Sequence, residues 1–293
     1  HITFIYAIII VVNIMNYELI NNNVVVHNVT ALNLAETLDC GQSFRWVEND
    51  DKSFTGVAYG KVVTVKLNGS DFIIDNSSIE DFENIWKKYF DLELDYDKIR
   101  KEVSEIHPIL KEASEYASGI RILQQDSWET LCTFIISQNN NIKRIKGIVE
   151  RLCETFGDRI DNTDYFTFPT AEKLSQLTPE DLSPIRAGFR NKYIIDASQK
   201  VTTGEVDLDK CRGLSYDDAK AELCKIKGVG VKVADCTLLF GFHRIEAFPI
   251  DVWMKRAMEK LFPNMTGSDF GPYAGIAQQY IFHYSRMHPE LFE

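Results

Sequence analysis

Residues 223–242, "LCKIKGVGVKVADCTLLFGF", join the end of one helix to the start of another through Gly228 and Gly230. Glycines in such a turn reach backbone angles closed to other residues and leave the loop surface bare of side chains. The loop amides and the unsatisfied N–H groups of the following helix suit an anion such as a phosphate. Lys232 then falls in the first turn of an apolar helix, where the helix dipole disfavours a cation. That placement suits an amine that has to react uncharged. Further along, Asp251 follows Pro249 and precedes "VWMKRAMEKLF" (252–262), the place of a helix N-cap. The chain therefore sets an amine and a carboxylate at the starts of two consecutive helices.

Working outward, the same half of the chain reads as helical throughout. "DSWETLCTFIISQ" (126–138) opens with Asp126 and Glu129 at capping-box spacing. "NIKRIKGIVERLCETFG" (141–157) puts Ile142, Ile145, Val149, Leu152 and Phe156 on one face and closes at Gly157. "SYDDAKAELCKI" (215–226) opens with Ser215 and Asp218, a second capping box. The N-terminal half differs. From Phe44 to Asp75, runs rich in aromatic and β-branched residues, "SFRWV", "SFTGVAY", "KVVTVKL" and "DFIID", alternate with the turn signals "ENDDK", "YGK" and "NGS". A helical stretch, "SIEDFENIWKKYFDL" (78–92), follows that meander. The expected fold class is α+β with segregated domains. An antiparallel sheet domain with helices spans 16–117 and an all-α domain spans 118–293, its hairpin at 223–232. Residues 1–15 are expected to be an apolar leader outside the fold. "HITFIYAIIIVVNI" (1–14) is too short to span a bilayer and has no basic n-region.

The 293-residue chain carries a formal net charge of −11, which weighs against nucleic acid until its distribution is considered. Windows 139–151, 184–200, 225–232 and 252–260 together hold 14 basic and 3 acidic side chains, leaving 18 basic and 40 acidic elsewhere. An acidic body with basic elements binds phosphates locally, because screening leaves nearby charges dominant. The six cysteines form no CxxC pair, so neither a zinc site nor a disulfide framework is expected.

The glycine hairpin, Lys232 and Asp251, in that order, resemble the helix-hairpin-helix base-excision DNA glycosylases. "CGQSFRW" (40–46), "SQNNNIKRI" (137–145), "GFRNKY" (188–193), "GVGVKVADC" (228–236), "PIDV" (249–252) and "AGIAQQYIF" (274–282) extend the likeness to the 8-oxoguanine DNA glycosylase family. The resemblance implies a TBP-like N-terminal sheet domain and a bifunctional DNA glycosylase/AP lyase acting on duplex DNA by base flipping. It makes Lys232 the nucleophile that forms a Schiff base and Asp251 the carboxylate that stabilises positive charge on the sugar. It builds the base pocket from the Gly41 carbonyl, the Gln278 amide and stacking between Cys236 and Phe282. Asn139 and Phe189 would fill and wedge the duplex gap, and Arg144 and Arg190 would read the estranged base. Gly228 and Gly230 would meet phosphate, and the carbonyls of Cys224, Ile226 and Val229 would hold a structural monovalent or divalent cation.

No cofactor is expected for the chemistry, and no iron–sulfur cluster, since no cysteine follows Cys236. A monomer with no membrane partner is expected, cytoplasmic or nucleoid-associated in a bacterium and nuclear in a eukaryote. Two departures from vertebrate members stand out: Phe189 where tyrosine is common, and Trp253 where histidine is common. The alternatives are an alkylated-base glycosylase of the same superfamily and a non-catalytic helix-hairpin-helix DNA-binding protein. Neither needs Lys232 together with Asp251.

Overall fold

The computed structural model describes residues 15–292. Residues 1–14 of the expected leader, 1–15, lie outside the described residues, and its last residue, Met15, departs from the expectation by packing against the sheet core. Six antiparallel strands form one sheet in the order β1-β2-β6-β5-β4-β3. They are β1 (Tyr17–Ile20), β2 (Asn23–Val26), β3 (Trp46–Glu48), β4 (Phe54–Ala58), β5 (Lys61–Asn68) and β6 (Asp71–Asp75). The meander β3 to β6 follows the expected runs. The hairpin β1–β2 extends it, with Val24 opposite Ile74 and Val26 opposite Phe72. Helix α1 (Leu34–Leu38) and a rod made of α2 (Ile79–Asp81), a π-turn (Phe82–Trp86) and α3 (Lys87–Tyr89) cover this sheet. Leu38, Trp46, Phe72, Phe82 and Phe90 fill the space between.

The second layer is helical: α4 (Tyr96–Ser104), α5 (Pro108–Tyr116), α6 (Ser127–Ser137), α7 (Ile142–Phe156), α8 (Ala171–Ser175), α9 (Asn191–Thr203), α10 (Leu208–Cys211), α11 (Tyr216–Leu223), α12 (Val231–Phe242), α13 (Val252–Leu261) and α14 (Ala274–Met287). The buried side chains of α4 and α5, among them Tyr96, Ile99 and Leu110, join this helical core. At its centre α12 lies against α6, with Phe134 and Phe240 stacked at 5.4 Å. Among the described residues no helix is long and apolar enough to cross a membrane.

Local chemistry differs from the expectation at three points. Asp126 Oδ1 accepts from the Glu129 N–H at 2.8 Å, yet the Glu129 carboxylate turns to Arg45, at 3.5 Å, so only half of that capping box forms. Burial pushes the Glu129 carboxyl up to about 7. Ser215 likewise accepts from the Asp218 N–H at 3.2 Å while its hydroxyl donates to the Asp218 carboxylate at 2.6 Å. Helix α7 does close at Gly157, but with extended backbone rather than a left-handed cap. A side chain there would begin 2.0 Å from the Thr167 carbonyl, so close approach selects the glycine. The buried face of α7 is Ile145, Ile148, Val149, Leu152 and Cys153, with Ile142 and Phe156 only partly covered.

Polar groups bind the two cores together. The buried Arg121 guanidinium donates to the Ala31, Thr30 and Asp91 carbonyls at 3.0, 2.7 and 2.7 Å. The Asp91 carboxylate accepts from Tyr96 at 2.8 Å and Gln124 at 2.9 Å, and lies 3.0 Å from Nε2 of His243, the residue that caps α12. Gln42 donates to the Thr37 and Arg121 carbonyls at 2.8 Å each and accepts from the Leu123 N–H at 2.9 Å. Every such group is satisfied, which is the condition for burying it. The loop carrying Gly41 is thereby fixed to the seam.

Candidate active site

The hairpin between α11 and α12 uses its two glycines for different purposes. Gly228 has φ +81°, and a Cβ on it would lie 2.5 Å from the Tyr193 ring. Gly230, at φ −104° and ψ −176°, is an ordinary extended N-cap with nothing within 4 Å of an added Cβ. Only Gly228 therefore needs glycine's angles; Gly230 leaves bare backbone open to solvent at the start of α12. Lys232 follows in the first turn. Its Nζ lies over the Phe134 ring at 5.0 Å and donates to Ser137 Oγ at 3.3 Å. Both partners sit on α6, so the packing of α6 on α12 aims the amine.

Asp251 does cap α13, its Oδ1 accepting from the Met254 N–H at 2.8 Å. One cavity of about 50 Å³ brings the two helix starts together. Lys232, Asp251, Gly41, Cys236, Gln278 and Phe282 all line it, the full expected pocket. On the same measure one water needs about 10–15 Å³. Phe134, Phe240, Pro249 and Gln279 complete the walls. Among these, Pro249 and Gln279 sit within two residues of expected positions, and only their contacts separate them from spacers. Burial pushes the Cys236 thiol up to about 11; Lys232 opposes that, and Asp235 and then Asp251 add to it.

The remaining expected residues do not line the cavity. Between α6 and α7 the chain turns at Gln138 and Asn139, where Asn139 takes φ +47°, and Asn141 caps α7, accepting from the Arg144 N–H at 3.0 Å. Asn139 and Arg144 are exposed, and Phe189 is 52% exposed. Arg190 departs from the expectation. It is buried, and its guanidinium donates to the Gln138, Ala187 and Asn139 carbonyls. Four of its five N–H groups are taken, so as placed it braces the Asn139 turn rather than offering a free fork. Burial lowers its pKa and the neighbouring Arg144 lowers it further.

Contacts also link three of the four basic windows, 139–151, 184–200 and 225–232. Arg151 on α7 donates to the Ile185 carbonyl, Lys200 on α9 to the Lys225 carbonyl, and the Lys227 N–H to Asp196. Lys143, Arg144, Arg186 and Lys227 are exposed and make no ion pair among the described residues. The exposed apolar Val231, Ile250, Val252 and Trp253 stand in the segments that bear Lys232, Pro249 and Asp251. At the hairpin turn, the Ile226 carbonyl accepts from the Val229 N–H at 3.0 Å, which leaves it one lone pair. No group of three or more His, Cys, Asp or Glu placed to hold a metal ion occurs among the described residues.

Comparison with known proteins matches residues 24–131 to the 8-oxoguanine DNA glycosylase N-terminal domain and 132–269 to the HhH-GPD superfamily of base excision DNA repair proteins. The N-glycosylase/DNA lyase of Saccharomyces cerevisiae is 33% identical over 268 residues, covering 80% of this chain and 69% of that protein. This chain belongs to the 8-oxoguanine DNA glycosylase family. Among solved members, the Clostridium acetobutylicum 8-oxoguanine glycosylase/lyase bound to duplex DNA is 38% identical at TM-score 0.88, over 94% of this chain and 98% of that one. A structure of MBOgg1 with a low-affinity DNA ligand is 44% identical at TM-score 0.89, over 94% and 99%. In this glycosylase, Gly41 comes from the first matched segment, Lys232 and Asp251 from the second, and Gln278 and Phe282 from beyond it.

Proposed function

We propose that the chain excises 8-oxoguanine from duplex DNA and then cleaves the strand, using Lys232 as nucleophile. The observation that carries this reading is the single cavity into which both Lys232 and Asp251 open. A base turned out of the duplex enters between Cys236 and Phe282. The Nζ lone pair attacks C1′ of its sugar, the C1′–N9 bond breaks, and the base leaves with those electrons and takes up a proton. Opening of the sugar ring gives a Schiff base at Lys232. Loss of a C2′ proton then expels the 3′ phosphate by β-elimination. Positive charge grows on the sugar as the base departs, and a carboxylate already fixed at the α13 N-cap stabilises that charge without reorganising. Oxidised guanine bears a hydrogen on N7 where guanine has a lone pair, so the Gly41 carbonyl accepts from one and repels the other.

Phe189 and Asn139 occupy the space the base vacates, and Arg144 reads the opposite base from the exposed face of α7. The bare amides at Gly230 meet a phosphate. The carbonyls of Cys224, Ile226 and Val229 suit a hard or alkali cation there, whose part would be to bridge the turn to that phosphate. The working unit is one copy of the chain.

The test is borohydride trapping on a duplex containing 8-oxoguanine. The native chain gives a covalent adduct, and Lys232→Gln gives none while still retarding the lesion duplex. Cleavage by Lys232→Gln at the native rate would remove Lys232 as nucleophile. Binding without an adduct in the native chain would favour a non-catalytic module.

A further inference from the structure

Gln278 and Gln279 are neighbours on α14, are both buried, and both line the cavity. Gln279 Nε2 donates to Gln278 Oε1 at 2.7 Å. On its other side, Gln279 Oε1 accepts from the Cys40 thiol at 3.6 Å. The Thr37 carbonyl, 3.5 Å from the same sulfur and also accepting from Gln42 at 2.8 Å, shares that thiol hydrogen with Gln279. Burial pushes the Cys40 thiol up to about 11, so it keeps its hydrogen and acts as a donor. A donor at Cys40 turns the oxygen of Gln279 towards it and the nitrogen towards Gln278. The Gln278 amide is then held with its oxygen towards Gln279, and its nitrogen has no partner among the described residues.

A terminal amide otherwise turns about a broad, roughly two-fold torsion and presents either end at similar cost. Held as it is, Gln278 offers the cavity two N–H donors and the second lone pair of Oε1. With the Gln278 nitrogen facing position 6 of the bound base, that donor–acceptor order matches a 6-oxopurine, whose O6 accepts and whose N1–H donates. It opposes a 6-aminopurine, whose exocyclic amine donates and whose N1 accepts. We infer that Gln279, oriented by Cys40, is a positioning residue that locks the Gln278 amide for 6-oxopurines and against 6-aminopurines. The inference rests on the reading of Gln278 as a base contact given under the proposed function.

The experiment compares kcat/KM on two duplexes, one carrying 8-oxoguanine and one 8-oxoadenine, for the native chain and for Gln279→Leu, Gln279→Glu, Cys40→Ser and Gln278→Leu. Releasing the amide in Gln279→Leu narrows the preference for 8-oxoguanine by about tenfold, the scale set by one hydrogen bond. The change appears as a rise on 8-oxoadenine together with a fall on 8-oxoguanine. A carboxylate in Gln279→Glu only accepts, draws the nitrogen of Gln278 towards itself, and shifts the preference further towards 8-oxoadenine. Cys40→Ser keeps a donor at that place and retains the native preference, as the conservative rescue. A merely structural role for Gln279 would lower both rates in parallel with thermal stability, and that result overturns the inference. If Gln278→Leu changes the preference while Gln279→Leu does not, the lock alone is refuted. If Gln278→Leu leaves the preference as it was, Gln278 is not the base reader and both readings fall.

Discussion

Replacing each hairpin glycine by alanine separates folding from DNA binding. In Gly228→Ala the new side chain must accept φ +81°, which costs about 1–2 kcal/mol. Its Cβ also starts 2.5 Å from the Tyr193 ring. Tyr193 is partly buried and holds Phe189 edge-on at 5.9 Å, so displacing it adds about 1–3 kcal/mol of overpacking and moves the wedge. The total of about 2–5 kcal/mol lowers Tm by about 4–10 °C for a chain of this size. Gly230→Ala meets nothing within 4 Å and keeps an ordinary φ of −104°. Alanine is the poorer N-cap by about 1 kcal/mol, and the stiffer unfolded chain returns about 0.4–1 kcal/mol. Its Tm should therefore fall by less than about 2 °C. On DNA the order reverses in kind, because a methyl group at Gly230 stands where phosphate approaches the amides. Losing one charge-assisted hydrogen bond weakens binding by about 10- to 100-fold. Circular dichroism melts and fluorescence anisotropy with a lesion duplex measure the two quantities. Equal Tm losses in the two variants, or native affinity in Gly230→Ala, would refute the division of labour between these glycines.

Asparagine caps a helix as well as aspartate does, so Asp251→Asn keeps the native Tm while base release slows about 100-fold or more in single-turnover assays. Asp251→Ala loses about 1 kcal/mol of stability as well; if Asp251→Asn releases base at the native rate, the carboxylate has no part in the chemistry. His27 lies 3.1 Å from both Asp71 and Glu18, and hydrogen bonds to Asp71 first and Glu18 second hold its pKa above the ordinary 6.5. Its stabilising contribution is complete below 6.5 and disappears as pH rises through the raised folded-state value. The Tm gap between the native chain and His27→Ala should accordingly close with rising pH, and a gap that widens contradicts the clasp. Exchanging Lys143 and Lys227 together for glutamine should make the plot of log affinity against log salt shallower by about 2, near 0.9 per lost phosphate contact. An unaltered slope would place the DNA on another face.

Legibility followed the local character of each signal. The meander showed because its turn residues lie beside its alternating strands, and the α12 and α13 starts showed because glycine and aspartate announce them. The first hairpin carried a signal that went unused: Asn21 and Asn22 both take positive φ, as a two-residue turn requires, ahead of the β-branched "NVVV". Grouping Lys143, Arg144 and Lys227 into basic windows was possible from charge alone, but the brace made by Arg190 was not. Its partners are backbone carbonyls up to 52 residues away, and carbonyls carry no residue code. Gln279 was hidden for a related reason. Nothing in "AQQYIF" says which of two adjacent amides faces a base and which holds the other, because that depends on Cys40, 239 positions earlier.

Helix α12 has Lys232 near one end and His243, hydrogen-bonded to Asp91, at the other. Its 12 residues make a strut about 18 Å long. Pivoting such a strut by one degree at the His243 end swings the amine by about 0.3 Å, and a misplacement of about 1 Å costs on the order of a hundredfold in rate. Slackening the far anchorage by a few degrees would thus yield a sluggish repair protein that still grips damaged DNA, with its lesion in a residue that never comes near a sugar.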